Sequence, residues 1–205
     1  MASEIGLSKR FFKATEWAAA RHEARPRFGP TTPSLGEVLG IASLVLVDGG
    51  NEREAIAAMV LDAVGDDDLP IDEIRGRLGK KVARLVARTA AERGVDADEL
   101  DDALARLDDD DDVASVRRVL AADTLRELRA LVVDLRRSGS ITFARYSVRP
   151  EVQLERFHAK VQLLTRDDPR GSLSEELRAA CAEVKRLVEV DTATASWRVA
   201  HSDAA

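Results

Sequence analysis

The sequence predicts an all-α protein, and three observations support this class. Alanine, leucine, arginine and acidic residues dominate the 205-residue chain, a composition typical of helical proteins. Aromatic residues make up only 4% of it, and strand-forming clusters bounded by turns are scarce. Apolar residues recur at three- and four-residue spacing in several segments. The length suits one domain with a real hydrophobic core.

The first two helices are delimited by a cap and by helix breakers. Ser8 can cap a first helix, which must end near Ala24 because Pro26 disfavours helical geometry before it. The segment RPRFGPTTP then forms a rigid loop. The second helix begins at Ser34 and is ended by the glycine pair 49–50.

The third helix is an apolar stretch that ends in carboxylates. Asn51 is its predicted cap, and Glu54 stands three residues later, where a capping-box partner belongs. The apolar residues of AIAAMVLDAVGDDD recur at helical spacing, so Asp62 is carried on or beside a buried face and Asp66 follows one turn later. An ionised group in that position needs a partner.

The rest of the chain continues the helical pattern. Pro70 can occupy the first turn of a short helix, IDEIRGRLG, and two further helices are predicted in KKVARLVARTAAERG and DADELDDALARL. The aspartate run 108–112 is predicted to be a solvated loop, as such runs usually are. The alternative, a calcium site, is disfavoured because it needs alternating oxygen ligands around a glycine, which is absent here. The remaining predicted helices are Val113–Arg137, Pro150–Leu164 and Ser174–Val190. We expect one domain, 1–190, and a mobile tail, 191–205.

Charge and composition exclude some classes of partner. The chain has 31 basic and 37 acidic side chains, a formal net charge of -6, and no long basic run, so we expect no nucleic-acid partner. No segment approaches the roughly 20 apolar residues of a membrane span, and the N-terminus lacks the apolar core of a signal peptide. We therefore expect a cytoplasmic protein. Cys181 is the single cysteine, and we expect it to be buried.

Seven positions, taken together, carry a resemblance to a known family. They are His22, Arg27, Gly29, Glu37, Asp62, Asp66 and Asp123. Their order and spacing resemble an HD-domain protein, a superfamily that includes metal-dependent phosphohydrolases, among them the hydrolase domain acting on guanosine tetraphosphate. The resemblance is to bacterial members and extends from about Lys9 to Glu189. It implies a single-domain HD-type helical bundle.

The first half of the resemblance lies in the loop and in the second and third helices. Arg27, Gly29 and Pro33 match the family, but its first metal-binding histidine is replaced by Glu37. The segments ASLVLVDGG and EAIAAMVLDAV resemble the family's second and third helices. Within the latter, the histidine and aspartate that give the family its name become Leu61 and Asp62.

The second half completes the comparison of the site. The family's glutamate–aspartate pair one turn later is Gly65 and Asp66. Its alanine-aspartate-lysine-leucine segment, which supplies the last metal ligand, is residues 122–125 here, with Asp123 in the ligand position. The resemblance therefore implies that three aspartates are kept, whereas both metal histidines and the catalytic glutamate are lost.

The retained residues have candidate roles and simpler alternatives. Glu37, Asp62 and Asp123 could hold manganese or magnesium through oxygen, and Asp66 is the candidate catalytic residue. Arg27 is the candidate phosphate contact, because a guanidinium grips phosphate bidentately. Alternatively, Glu37 closes a capping box with Ser34. Asp62 and Asp123 could then be remnants, either protonated or neutralised by an arginine such as Arg27 or Arg126, and Arg27 could serve only in a salt bridge.

Three functions follow from this site. We expect an HD-domain protein without catalysis that binds a nucleotide, another phosphorylated small molecule or a protein partner, and that has no cofactor. The alternative is an active metal-dependent phosphohydrolase with a rearranged carboxylate site and a divalent metal such as Mn or Mg. A third hypothesis is a homo-oligomer or adaptor that uses the long helix or the acidic loop.

Overall fold

The computed structural model describes the backbone of residues 6–23, 34–65, 70–107, 110–146 and 148–202, and its described side chains exclude those of 22–23, 34, 37, 62–65, 110–111 and 192–202. In these ranges the chain forms helices and no strands, so the prediction of an all-α class is confirmed. The helices are α1 Lys9–Glu23, α2 Ser34–Val47, α3 Glu52–Gly65, α4 Ile71–Leu78, α5 Lys80–Glu92, α6 Ala97–Ala105, α7 Asp110–Ser138, a 3₁₀-helix Gly139–Arg145, α8 Pro150–Leu164 and α9 Ser172–Ser202.

The observed helix bounds follow the predicted ones closely. A 3₁₀-helix, Gly139–Arg145, lies where no helix is predicted, and several helix ends differ. Pro70 is the N-cap of α4 and lies outside its first turn. Helix α7 begins at Asp110, three residues earlier than predicted. Helix α9 continues past Val190 to Ser202, although the mobility of the tail from residue 191 stays a prediction. None of the described helices is both long and apolar enough to cross a membrane.

The first compact unit, Met1–Asp123, is built around α3. This helix packs against α1, α2 and α5. Every residue from Ala55 to Leu61 is at most 1% exposed, so this part of α3 is buried on all sides. A helix enclosed in this way has no solvent face, which explains why residues 55–61 are apolar at every position and not only at the helical spacing of one buried face.

The capping box predicted at the start of α3 is present. The Glu54 backbone N–H donates to Asn51 Oδ1 at 3.2 Å, and the Asn51 N–H donates to Glu54 Oε2 at 3.2 Å. The Glu54 carboxylate is 3% exposed and also accepts hydrogen bonds from Ser115 Oγ at 2.6 Å and Arg118 Nη1 at 2.8 Å, both in α7. Burial lowers the pKa of Arg118, but its pairs with Glu54 and Asp48 outweigh this and raise it. The network ties the start of α3 to α7.

The aspartate run also differs from its prediction as a solvated loop. Its last three residues belong to α7, where acidic groups suit the positive end of the helix dipole. Asp112 is only 6% exposed. Its carboxylate pairs with Arg84 Nη2 at 3.2 Å and with Arg88, both in α5. Asp112 can therefore be buried, because the arginines of α5 compensate its charge, and these ion pairs link the start of α7 to α5.

The second compact unit, Thr124–Ala205, contains the last part of α7, the 3₁₀-helix, α8 and α9. Helices α7 and α9 are joined by the ion pairs Arg129–Glu176 and Arg136–Glu183, the latter at 2.9 Å. Both pairs span 47 residues, so the two helices run in the same direction. The core includes Leu128, Leu131, Leu135, Phe143, Phe157, Val161, Leu164, Leu177 and Val184.

Cys181 lies at the edge of this core. It is free and 8% exposed, which confirms the prediction of a buried thiol. Burial raises the pKa of the Cys181 thiol, while Lys185 acts weakly in the opposite direction. The net shift of the pKa is upward, so the thiol stays protonated near neutral pH and behaves as a small apolar side chain.

Candidate metal and ligand site

Asp123, the candidate last metal ligand, lies in α7 within the first unit. It is 5% exposed and is flanked by residues that are at most 4% exposed, including Ala122, Thr124 and Leu125. Both of its carboxylate oxygens accept hydrogen bonds from Arg93. The Nε–Oδ2 distance is 2.7 Å and the Nη2–Oδ1 distance is 3.0 Å. This is a bidentate pair, in which the planar guanidinium matches the two oxygens.

Arg93 reaches Asp123 from the end of α5. It is the C-cap residue, in the right-handed helical region with φ -64° and ψ -41°, and its backbone N–H donates to the Ala90 carbonyl at 3.4 Å. Its side chain is 26% exposed, against 7% for that of Asp123. The acid is thus the buried partner, and the arginine covers it on the solvent side.

Arg93 is the site residue that the sequence did not single out, since Arg27 and Arg126 were the candidate partners of the aspartates. Two local signals point to it. The first is an aspartate within the apolar segment VLAADTL, which needs a cation, and the second is an arginine immediately before the Gly94 that ends α5. Local sequence does not show that these two residues are in contact, because they are separated by 30 positions.

Leu61 occupies the place where the resemblance expects a metal-binding histidine. It is 1% exposed and belongs to the fully buried part of α3. A leucine side chain has no lone pair to offer a metal. At this point of α3 the described structure therefore contains packed hydrocarbon.

The other candidate residues lie wholly or partly outside the described structure. Glu37 is in α2 and Asp62 is in α3, but their side chains are not described. Arg27 and Asp66 fall in the undescribed ranges 24–33 and 66–69. The roles of these four residues in metal binding, capping, catalysis or phosphate binding stay predictions.

The described side chains alone do not assemble a metal centre. Among them, no group of three or more histidine, cysteine, aspartate and glutamate residues is placed to hold an ion. Asp123 is one of the described side chains. The side chains of Glu37, Asp62 and Asp66 are not described.

Comparison with protein families identifies the class of this protein. The family model described as HD domain matches residues 14–157, which is more than half of the chain. The chain therefore belongs to the HD domain family, and the fold expected from the resemblance is confirmed. The match ends within α8, so α9 lies outside it.

Solved structures show the same fold. One is from a study titled "A metazoan ortholog of SpoT hydrolyzes ppGpp and plays a role in starvation responses", with 18% sequence identity and a TM-score of 0.59 over 84% of this chain and 94% of the other. Another is the protein lmo0812 from Listeria monocytogenes EGD-e, with 16% identity and a TM-score of 0.58 over 75% of this chain and 99% of the other. A comparison with curated proteins found no match.

Proposed function

We propose that this protein is an HD-fold binding protein that does not perform metal-dependent phosphate hydrolysis. The observation that carries the proposal is the burial of Leu61, at 1% exposure, in the position of a metal-binding histidine. In the family's chemistry, a metal makes a bound water acidic enough to attack phosphorus. A site without imidazole at this position, without the histidine replaced by Glu37 and without the glutamate replaced by Gly65 has lost the groups for that step.

The proposed ligand is a nucleotide that carries several phosphates, in the cytoplasm. The similar metazoan protein hydrolyses ppGpp, and an HD fold that keeps its binding loop after losing its metal-binding histidines can still recognise the same class of molecule. Arg27 is the proposed phosphate contact. It is followed by Gly29 and Pro33, as in the family's first loop.

Calorimetric titration with guanosine and adenosine polyphosphates tests this proposal. We expect wild-type protein to bind at least one of them in the presence of EDTA and to release no phosphate in excess manganese or magnesium. Arg27→Ala should weaken binding at least about tenfold, because a hydrogen bond to a charged group contributes roughly 1.5–3 kcal/mol. Arg25→Ala, in the same loop, is the matched control and should bind like wild type. Absence of binding to every nucleotide would contradict the proposal.

The second candidate is an active phosphohydrolase with a site made of Glu37, Asp62, Asp66 and Asp123. It is favoured by the retention of the three aspartates in otherwise matching segments. Phosphate release that requires manganese or magnesium and disappears in Asp123→Ala would establish this function and refute the first.

The hypothesis of an oligomer or adaptor has less support. On the described part of α7, the one large apolar residue that is substantially exposed is Val133, at 43%. A single exposed apolar side chain is ordinary on a monomer surface and does not form a docking patch. In the acidic run, the Asp112 carboxylate is buried and paired with arginine, so its charge is not exposed for contact with a partner.

A further inference from the structure

The buried acids of this protein share one type of partner. Among the described side chains, the carboxylates that are less than 9% exposed belong to Glu54, Asp112 and Asp123. Each of them pairs with arginine, from α7 for Glu54 and from α5 or its C-cap for the other two. A buried carboxylate without a counter-charge is costly, and for each of these three described acids the fold supplies a guanidinium.

Asp123 differs from the other two because its position is that of a metal ligand in the family. A divalent ion there would supply the positive charge that a buried carboxylate requires. In this chain the charge is already supplied, since Arg93 donates one N–H to each oxygen at 2.7 and 3.0 Å. Both oxygens are therefore engaged, and Leu61 offers no ligand from α3.

We infer that the guanidinium of Arg93 has replaced the metal as the resident cation of this site. The described donor groups do not fit a metal, whereas they fit an arginine in geometry and charge. This inference rests on the proposed loss of hydrolysis. It adds that the site has gained a cation that belongs to the chain, the guanidinium of Arg93. Arg93 binds both carboxylate oxygens of Asp123, ties the end of α5 to α7, and makes the fold independent of divalent ions.

Thermal unfolding in EDTA tests the assignment. We expect Arg93→Ala to lower the Tm by about 6–12 °C, because it removes both N–H donors of the bidentate pair from a buried carboxylate. Methylguanidinium, a soluble copy of the lost group, should restore part of this loss. It should restore none of it in Arg93→Ala/Asp123→Asn, where the Asp123 carboxylate that would bind it is removed. The matched control is Arg75→Ala, whose pair with Asp72 at 2.7 Å is exposed on both sides.

The wild-type protein provides the second arm of the test. Its Tm should be the same in EDTA and in excess Mn²⁺ or Mg²⁺, because Arg93 already occupies the cation position. If Arg93→Ala does not fold, Arg93→Gln and Arg93→Gln/Asp123→Asn replace it. The single variant should then unfold at a clearly lower temperature than the neutral pair.

Four results would overturn the inference. The first is a loss of Tm in Arg93→Ala no larger than that in Arg75→Ala, and the second is equal restoration by methylguanidinium in the single and double variants. The third is stabilisation of wild type by Mn²⁺ or Mg²⁺, and the fourth is equal Tm values for Arg93→Gln and the neutral pair. Nucleotide binding and phosphate release report on the proposed function separately. A protein that neither binds nor hydrolyses nucleotides could still show the Arg93–Asp123 coupling, so the two proposals fail on different measurements.

Discussion

Glu54 is the residue whose removal tests most directly how the first unit is held together. Its carboxylate is 3% exposed and accepts hydrogen bonds from Asn51 N, Asn51 Nδ2, Ser115 Oγ and Arg118 Nη1, at 3.2, 2.9, 2.6 and 2.8 Å. Glu54→Ala removes the capping box of α3 and one side of a buried ion pair at the same time. Its partners Asn51, Ser115 and Arg118 remain in the variant. Ser115 and Arg118 then lose a hydrogen-bond acceptor in a place that water reaches poorly.

The size of the effect follows from this geometry. Breaking a buried ion pair by removing one partner costs about 3–5 kcal/mol. Arg118 keeps its pair with Asp48 and is 27% exposed, so the cost lies near the lower bound, about 3 kcal/mol. For a chain of this size, that corresponds to a Tm decrease of about 6–12 °C. Glu54→Gln keeps an acceptor for the cap and loses the charge, so we expect a smaller decrease.

Urea denaturation and thermal scans, followed by circular dichroism, measure both variants. Glu73→Ala is the control, because Glu73 pairs with Arg77 at 3.1 Å on the surface, where such a pair contributes about 0.3–0.5 kcal/mol. A Glu54→Ala protein as stable as Glu73→Ala would show that the network is not what holds α3 to α7.

Three further predictions concern single positions. Gly50→Ala should destabilise the protein by about 1–3 kcal/mol, since the added Cβ would lie 2.6 Å from a backbone carbonyl oxygen of α2. Gly40→Ala lies in open space within α2 and should stabilise the protein by about 0.5–1 kcal/mol. Urea denaturation measures both variants. Burial, and next the charge of Glu127, raise the pKa of Tyr146 to about 12, and because this is the chain's only tyrosine, an ultraviolet titration observes it alone. The unfolded phenol titrates near 10, so its stabilising contribution is complete below about pH 10 and is lost as the pH rises through 12. Cys181 should react with a thiol reagent slowly in native protein and rapidly in urea, because it is buried and its pKa is raised.

Each of these has a contrary result. Equal stability of the two glycine variants would mean that the turn after α2 can rearrange without cost. A native tyrosine midpoint near 10 would place the Tyr146 hydroxyl in water, and Tyr146→Phe provides the reference for the pH dependence of stability. Equal reaction rates of the thiol in native and denatured protein would place Cys181 at the surface.

The fold could be predicted largely because its signals are local. Ser34, Asn51 with Glu54, and Pro150 mark helix starts within a few residues of sequence, and the structure places α2, α3 and α8 accordingly. The glycine pair after α2 stops that helix for a local reason as well, because Gly49 has φ +79° and no space exists for a side chain at Gly50. Signals of this kind need no knowledge of which helices become neighbours.

The aspartate run shows where local reasoning fails. Five consecutive acids predict solvation, since their mutual repulsion and hydration favour water. The fold places Asp112 against Arg84 and Arg88, and these belong to a helix that ends about twenty residues earlier. Only the packing of α7 beside this part of α5 makes burial of that carboxylate favourable.

The same reasoning explains why the Arg93–Asp123 pair was missed although each residue carries a local signal. An arginine in the last turn of a helix is expected anyway, because it suits the negative end of the dipole. An aspartate in an apolar helix segment demands a cation, but the sequence offers many arginines and does not say which one is near. The family resemblance directed attention to a metal as that cation. The Arg93–Asp123 contact depends on the packing of the end of α5 beside α7, which is a long-range feature of the fold. Through it, the chain itself supplies the positive charge.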